Sequence, residues 1–580
     1  MSLMSSLYIG TSGLQTSQNA LNTTAHNLSN IDTVGYSRQQ VQQADRSYVT
    51  LKKTLSGTGV SDHQYGLGTT YSRVKQIRDY FLDKTYRKES GRSMFYEVSS
   101  NVLEEVETQL GEFNGKAFQQ TMKDFWESVQ ELCKDPANSV TQGVFVRRSS
   151  EFVERAAAIY DGLSSYQDNL NLQVKQQVEK INKYGNQLLE LNDKIRSIES
   201  GGIEKANDLR DTRNQILDEL AELAKISFKE DELGNVSVQI EGVDFVKGEL
   251  CHEMSLYLDE ATGFYTPFWP LDATFTKLDD GSRLYNIDGA EVFDLSIEIS
   301  SDLDTDIGGL KAMLLARGDH RADYTDMAEG KYDSVSQSVI MNIQAEFDQL
   351  VHNVVTKING ILAEAAGVTT GDLELEDGTI LEGVRYCEDV EGGYMRNDNG
   401  SPIQMFEKIT TDEYTKVKGS DGKEYWVYNE ENTEDPSMTE TLYTLRNLEI
   451  NKELMQKPAR LGFRLSEHSE DQETVDKLKA AFTEEIYTLN PNVKKKTTFN
   501  DYYSDMVSQV ANSGYVYRSI YESQQVTVEA AESARAQVIG VSSDEELSYM
   551  IKFQNAYNAS SRYINAISEM LEHVINRLGA

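Results

Sequence analysis

The sequence predicts an α+β multidomain protein: terminal N- and C-helices forming a coiled-coil layer, a long-helix bundle domain, and two β-rich outer insertions. Three patterns carry this. Apolar residues recur by sevens at both chain ends, a longer heptad run fills 153–198, and two stretches of alternating residues with glycine turns interrupt the helical sequence. A chain of 580 residues needs several cores. The expected division is 1–30 plus 541–580 as the inner coiled coil; 31–225, 301–370 and 450–540 as a helical domain with an N-terminal β-hairpin or loop; 226–300 as a first β-rich domain; and 371–449 as a second.

At the N-terminus Leu7, Leu14, Leu21 and Leu28 form one stripe, and no charged side chain occurs from Met1 to Ala25. Ser, Thr and Asn elsewhere on that helix compete for backbone hydrogen bonds and weaken it in isolation. "HNLSNIDTVGYSRQQ" (26–40) then ends the helix: Asn30, Asp32 and Thr33 can satisfy loose backbone groups and Gly35 permits a turn. The C-terminus mirrors the stripe with Met550, Tyr557, Ile564, Leu571 and Leu578, and with Phe553, Ser560, Ile567 and Val574 at the complementary positions. Ser543 as N-cap and Glu546 as its capping-box partner would open that helix, and Asp544 and Glu545 suit its positive end. Two such helices are marginal alone. They invite pairing with each other, either as an ordinary intramolecular hairpin or within a larger assembly.

Between the ends, Val153 to Ile198 keeps a/d positions through Tyr160, Leu163, Leu170, Val174, Ile181, Leu188 and Ile195, a rod of roughly 70 Å at about 1.5 Å per residue, ended by Gly201-Gly202. A second helix is expected over 207–225. "ISFKEDELGNVSVQIEGVDFVKG" alternates around Gly234-Asn235, a hairpin signal, and strand character continues through "FYTPFW", "RLYNIDG" and "FDLSIEI". Turns at Asp377-Gly378, Asp398-Asn399-Gly400 and Asp421-Gly422 punctuate the second β-rich stretch, and helices return from about Asp471.

Charge and chemistry narrow the function. A net charge of −38 repels nucleic acid and anionic membranes. Cys133, Cys251 and Cys387 are too scattered for a disulfide framework or zinc cluster. No run is long enough to span a bilayer, and the N-terminus lacks the basic start and apolar core of a cleavable signal, so the chain is expected in the cytoplasm unless it leaves by an unusual route. His252-Glu253 lacks the second histidine of a zincin helix. Asp302, Asp304 and Asp306 lack a calcium loop's continuation and read as a helix-capping acidic turn. Arg317-Gly318-Asp319 reads as a loop after a helix. No catalytic residue, metal site or cofactor is expected, and no carboxylate pair stands out as an acid/base couple.

"NLSNIDTVGYSRQ" resembles the N-terminal signature of the bacterial flagellar axial proteins (rod, hook and hook-associated proteins) through Asn27, Leu28, Ser29, Asn30, Thr33, Gly35 and Tyr36. The continuation Tyr36-Ser37-Arg38-Gln39 is similar to the hook–filament junction members. "GLGTTYSRVKQIRDYFLDKTYR", "NDLRDTRNQILDELAEL", "GGLKAMLLARGD", "TTFNDYYSDMVSQVANS" and "VSSDEELSYMIKFQNAYNASSRYINAISEMLEHVI" resemble further segments of that group. Asp32 and Val34 depart from its usual Asn and Pro. The resemblance implies a structural adaptor without enzymatic activity, exported uncleaved by the flagellar type III system and located outside the cell on the flagellum. It implies self-assembly into a short tubular ring, with hook protein, a second junction protein (hook-associated protein 3) and/or filament, and an export chaperone as partners. The stripes Leu7, Leu14, Leu21 and Leu28 against Met550, Phe553, Tyr557, Ile564, Ile567, Leu571 and Val574 would pack the subunits. Asn27, Asn30, Thr33, Gly35, Tyr36 and Arg38 would form the signature turn. Another axial protein (hook, rod or flagellin-like) and an adhesin or enzymatic activity in the β-rich insertions are the alternatives.

Overall fold

The chain is α+β, and its computed structural model describes residues 3–56, 59–111, 117–202, 204–277, 283–390, 394–429, 433–466 and 469–578. Helix α1 (Leu3–Ser29) leads into β1 (Gln39–Asp45), β2 (Val49–Ser56), β3 (Gly59–Tyr65) and β4 (Thr69–Gln76). β1 pairs antiparallel with β4, and β2 with β3, giving one long two-stranded excursion. α2 (Tyr80–Leu110) starts where the Asp79 carboxylate accepts from the amides of Phe81 and Leu82, and stops at Gly111, whose φ of 73° is left-handed.

α3 (Phe118–Lys134) is followed by α4 (Ser139–Glu199), a single helix of 61 residues. It begins at Ser139 rather than at Val153, because the Asn138 side chain caps it at the Val140 amide (2.9 Å) and Phe145, Val146 and Phe152 extend its apolar face into the core. α4 serves two cores. Its first half packs Phe145, Phe152, Ile159 and Leu163 with α2, α3 and later helices. Its second half packs Val174, Ile181 and Leu188 with α5 (Asn207–Leu223) and the first β-rich segment.

That segment holds β5 (Ile226–Glu230), β6 (Val236–Ile240), β7 (Val243–Lys247) and β8 (Leu250–Cys251) in one antiparallel sheet. β6 alternates as expected, burying Val236, Val238 and Ile240. β9 (Ser255–Leu258) pairs with β10 (Tyr265–Phe268), and β11 (Thr274–Lys277) with β12 (Arg283–Asn286). "FDLSIEI", expected as strand, is not one: the Asp294 carboxylate accepts from the Ser296 amide and hydroxyl and bends the chain. The next acidic turn caps no helix, contrary to expectation. Asp304 and Asp306 accept from Arg92 of α2, Asp306 at 3.1 Å while fully buried, and α6 (Gly309–Arg317) starts at Gly308 without a side-chain cap.

The Arg317-Gly318-Asp319 tripeptide is unavailable for recognition, because Arg317 is buried and donates to Asn171 Oδ1 (2.6 Å) and the Tyr265 carbonyl (2.9 Å). With Gln167, which donates to the Arg317 carbonyl at 2.8 Å, it forms the polar seam between the two cores.

α7 (Tyr332–Val335) and α8 (Val339–Ala365) lead to the second β-rich segment: β13 (Thr369–Glu374), β14 (Ile380–Glu388), β15 (Phe406–Lys408), β16 (Tyr414–Lys418), β17 (Glu424–Tyr428) and β18 (Leu448–Ile450). Its main sheet runs β13-β14-β17-β16. Gly378, Gly400 and Gly422, at the three expected turns, all have positive φ. α9 (Lys452–Gln456), α10 (Gln472–Thr483), α11 (Phe499–Ile539) and α12 (Ser543–Leu578) complete the chain.

The body holds buried carboxylates. Asp348 accepts from the amides of Leu445 (2.7 Å) and Tyr324 (3.1 Å), yet burial pushes it up to about 7. Burial likewise raises Glu346 to about 7 against its bonds from Asn490, Gln509 and Asn342. Both groups hold protons more tightly folded than unfolded. Their stabilising contribution is complete below the unfolded carboxylate range of about 4 and is lost as pH rises through about 7. The thermal midpoint of the soluble chain is therefore expected to rise from about pH 7.5 to about pH 5.5, with a shallower rise in Asp348→Asn. A midpoint that falls over that interval refutes the account. Phe125, fully buried among Phe145, Phe152 and Phe482, gives a second expectation. Phe125→Ala should destabilise the body by about 3–5 kcal/mol in chemical denaturation.

Candidate assembly surface: the terminal hairpin and its root

α1 lies antiparallel along α12, joining the two ends of the chain. The contact face of α1 is made of small residues: Ser6, Gly10, Ser17, Ala20 and Thr24 are buried, with Gly13 in line, at alternating spacings of three and four. The approach is close. A Cβ at Gly10 would stand 2.7 Å from Ile564 Cγ1, and one at Gly13 would stand 2.8 Å from Ser560 Oγ. α12 supplies the bulk through Met550, Phe553, Tyr557, Ile564, Ile567 and Leu571, of which Ile567 is buried and the others half-buried.

Leu7, Leu14, Leu21 and Leu28 are half-buried, each one residue past a contact position and so about 100° around the helix. They flank the seam. Val574 is 39% exposed, and the side chain of Leu578 lies outside the described residues. The small-residue face was missed in favour of the leucines, although its three-and-four spacing stands in the sequence. Exposed apolar side chains stand on α1 (Met4 and Tyr8), on α12 (Leu547, Ile551, Met570 and Ile575) and on α11 (Tyr515 and Val526).

The hairpin is rooted at the signature turn. Asn30 Nδ2 donates to the His26 carbonyl (2.9 Å), Thr33 Oγ1 to Asn30 Oδ1 (3.2 Å), and Gly35 takes φ +80°. Val34 is fully outside the packing at 86% exposed. Asn27 is the hub. Its Oδ1 accepts from Tyr36 Oη (2.7 Å) and the Gln39 amide (3.0 Å), and its Nδ2 donates to the Gln39 carbonyl (2.8 Å) and to Glu546 Oε2 (3.1 Å). Arg38 Nε donates to Glu546 Oε1 (2.8 Å), its guanidinium also reaches Glu545 (2.9 Å), and its backbone amide bonds the Ile539 carbonyl (2.9 Å). The expected capping box is thus corrected. The Ser542 carbonyl and hydroxyl receive the first amides of α12, and the buried Glu546 side chain turns to Asn27 and Arg38 instead of back onto its own helix.

A second tier fastens the turn to the body. The Ser37 amide donates to Asp211 Oδ2 (3.2 Å) and its hydroxyl accepts from Arg78 (3.0 Å), while Arg78 grips Asp83 with two bonds (2.7 and 2.9 Å). Burial raises Asp211 to about 6, with the Ser37 bonds acting against it. Burial also pushes the Tyr36 phenol well up, reinforced by Asp211. Arg87 and Arg535 share Asp218 (2.6 and 2.7 Å), tying α2 to α5 and α11. Arg78 and Asp211 stood in the sequence only as motif letters and Glu546 as a helix cap; nothing there revealed that Arg78 meets Asp211 or that Glu546 meets Asn27 and Arg38. Among the described residues, no group of three or more His, Cys, Asp or Glu is placed to hold a metal ion, and no helix is long and apolar enough to cross a membrane.

Three segments of the chain match known families. Residues 103–374 match the family described as flagellar hook-associated protein FlgK helical domain. Residues 7–36, from within α1 into the signature turn, match flagella basal body rod protein, and residues 537–578, which contain α12, match the flagellar basal body rod FlgEFG protein C-terminal family. Flagellar hook-associated protein 1 of Bacillus subtilis is 24% identical over 576 residues, 98% of this chain and 96% of that one. Its counterpart in Escherichia coli is 22% identical, covering 97% and 98%. The flagellar hook junction protein FlgK from Burkholderia pseudomallei aligns with a TM-score of 0.48 and 11% identity over 79% of this chain and 100% of that chain.

Removing one partner of a buried ion pair costs roughly 3–5 kcal/mol. Glu546→Ala is therefore expected to speed amide exchange throughout α1 and α12 while leaving α3, α4 and α8 protected. Equal exchange in the variant and the parent chain refutes the locking role. Gly10→Val should have the same effect by forcing the two helices apart.

Proposed function

We propose that this chain, which belongs to the family of flagellar hook-associated protein 1, joins the hook of the bacterial flagellum to its filament. The family is one of structural flagellar proteins, which places the chain on the flagellum outside the cell and in assembly with other flagellar components. The finer reading is ours. The chain leaves by the flagellar type III channel without cleavage, with an export chaperone, and polymerises with its own kind into a short ring in a helical tube. Hook protein meets one side, and hook-associated protein 3 or filament meets the other.

The observation that carries this reading is the terminal hairpin. It is built from both chain ends, rooted by a buried charge network, and clothed outside in exposed apolar side chains. Such a hairpin is weak alone and gains contacts when repeated around a tube, where marginal contacts add up. The leucines flanking the seam and the exposed α11–α12 face would meet neighbouring hairpins. The root fixes the angle at which each body stands off that inner layer, and the two β-rich segments lie far from it along the chain. A hook or rod protein would share the same ends, since residues 7–36 and 537–578 match rod-protein families; the 103–374 match favours the junction protein.

The test is a strain lacking the chain, complemented with Leu21→Asp. A carboxylate beside the seam should abolish incorporation at hook–filament junctions, seen by electron microscopy of isolated flagella, while the soluble variant keeps the parent's body stability. Motile cells with normal junctions from that variant refute the reading.

A further inference from the structure

An open cleft of about 460 Å³ lies between β4, the start of α2, α5 and the β5–β6 hairpin. In a chain with 94 carboxylates against 56 Lys and Arg, its wall is unusual. Arg73, Lys75, Arg78, Lys205 and Arg210 line it, against Asp83 and Glu230 as the acids.

Three of these cations build the frame. Arg78 is held by Asp83 (2.7 Å). Arg210 bridges Glu199 (2.7 Å) and Glu230 (2.7 Å), and Lys205 pairs with Glu199. Burial alone would raise Glu199, but Arg210 and Lys205 hold it down to about 2.

Arg73 and Lys75 differ. They are exposed, two apart on β4 and so on one face of the strand, and among the described residues neither has a carboxylate partner. Their cross-strand neighbours on β1 are Gln42 and Gln40, where an acid would have neutralised them, and Arg73 Nε donates to Gln42 Oε1 (2.9 Å). Tyr80, 56% exposed, stands at the start of α2 in the cleft wall, its ring edge-on to Phe228 at 5.0 Å between centroids. An unneutralised arginine beside an exposed tyrosine is the composition of a protein interface, and the lysine next to it adds charge complementary to an acidic partner.

We propose that this cleft docks an acidic segment of a second copy of this chain in the assembled ring, with Arg73 and Lys75 receiving its carboxylates. The inference rests on the junction reading given above. Subunits of charge −38 repel one another over most of their surface, so their lateral register has to come from the few places where the local sign is reversed. This cleft is such a place, and it abuts the root: Arg78 belongs both to its wall and to the Ser37–Asp211 tier. A neighbour docked here is registered against the same residues that set the hairpin angle.

The test uses isolated flagella and a zero-length carbodiimide, which joins an amine to a carboxylate in contact. In the cross-linked dimer of this chain, Lys75 should be coupled to an Asp or Glu of the second copy. Lys75→Arg should lose that cross-link and keep normal incorporation. The double reversal Arg73→Glu with Lys75→Glu should incorporate about tenfold less, with the soluble chain's denaturation midpoint unchanged. Coupling of Lys75 only to hook or filament subunits overturns the proposal. So does its absence from dimers cross-linked through other lysines, or unimpaired incorporation of the double reversal. If the parent chain is missing from junctions, the functional reading falls and this one with it; if the parent is present and the double reversal assembles normally, only this inference falls.

Discussion

The Glu546 carboxylate sits where the two ends of the chain meet, and the arrangement of the outer helices follows from its being satisfied. A buried carboxylate without donors would be costly. Here one oxygen takes the Arg38 guanidinium and the other takes the Asn27 amide. Each donor is itself fixed. Asn27 is held by Tyr36 and by both backbone groups of Gln39, and Arg38 by the Ile539 carbonyl. The chain direction after α1, the start of α12 and the entry into β1 are therefore set by one connected group of polar atoms. Its second tier, Ser37 with Asp211 and Arg78, carries that geometry into α2 and α5.

Beyond the root, the division of labour is plain. The body is stabilised by two aromatic and aliphatic cores strung on α4, one on each half of the helix. The hairpin has no such core. Its seam sets small side chains of α1 against large ones of α12, so the helices come close while burying little apolar area apiece. The helices hold their place because the root aims them, and much of the apolar surface of α12 remains in water.

The helical framework was readable from spacing alone. The heptads of 153–198 lie within α4, the Gly234-Asn235 signal lies between β5 and β6, and the glycines after Asp377 and Asp421 stand at turns with positive φ. Three things were not readable, each for a physical reason. Leucine is the loudest apolar signal, yet a close helix pair selects for small residues, and which stripe wins depends on how closely Ile564 and Ser560 of the partner helix approach. "FDLSIEI" alternates correctly for a strand, but one aspartate at 294 finds a nearer donor in Ser296 and turns the chain. The pairs Arg38–Glu546, Ser37–Asp211 and Arg92–Asp306 join residues far apart in sequence, and each member looks like an ordinary surface charge or hydroxyl until the fold brings it to its mate.

The Asn27–Glu546 contact spans 519 positions. Closing a loop of that length in a disordered chain costs on the order of 5 kcal/mol of configurational entropy, more than one such contact returns. Once α2, α5 and α11 have packed, Asp79 and Ile539 are already anchored on one body and the remaining loops are short. The ends of the protein therefore come together only after its middle has folded. The same asymmetry runs in reverse: as the molecule loosens, the terminal helices part first, leaving an intact body with two free arms, an N-terminal one without a charged side chain through Ala25 and a C-terminal one that carries both signs.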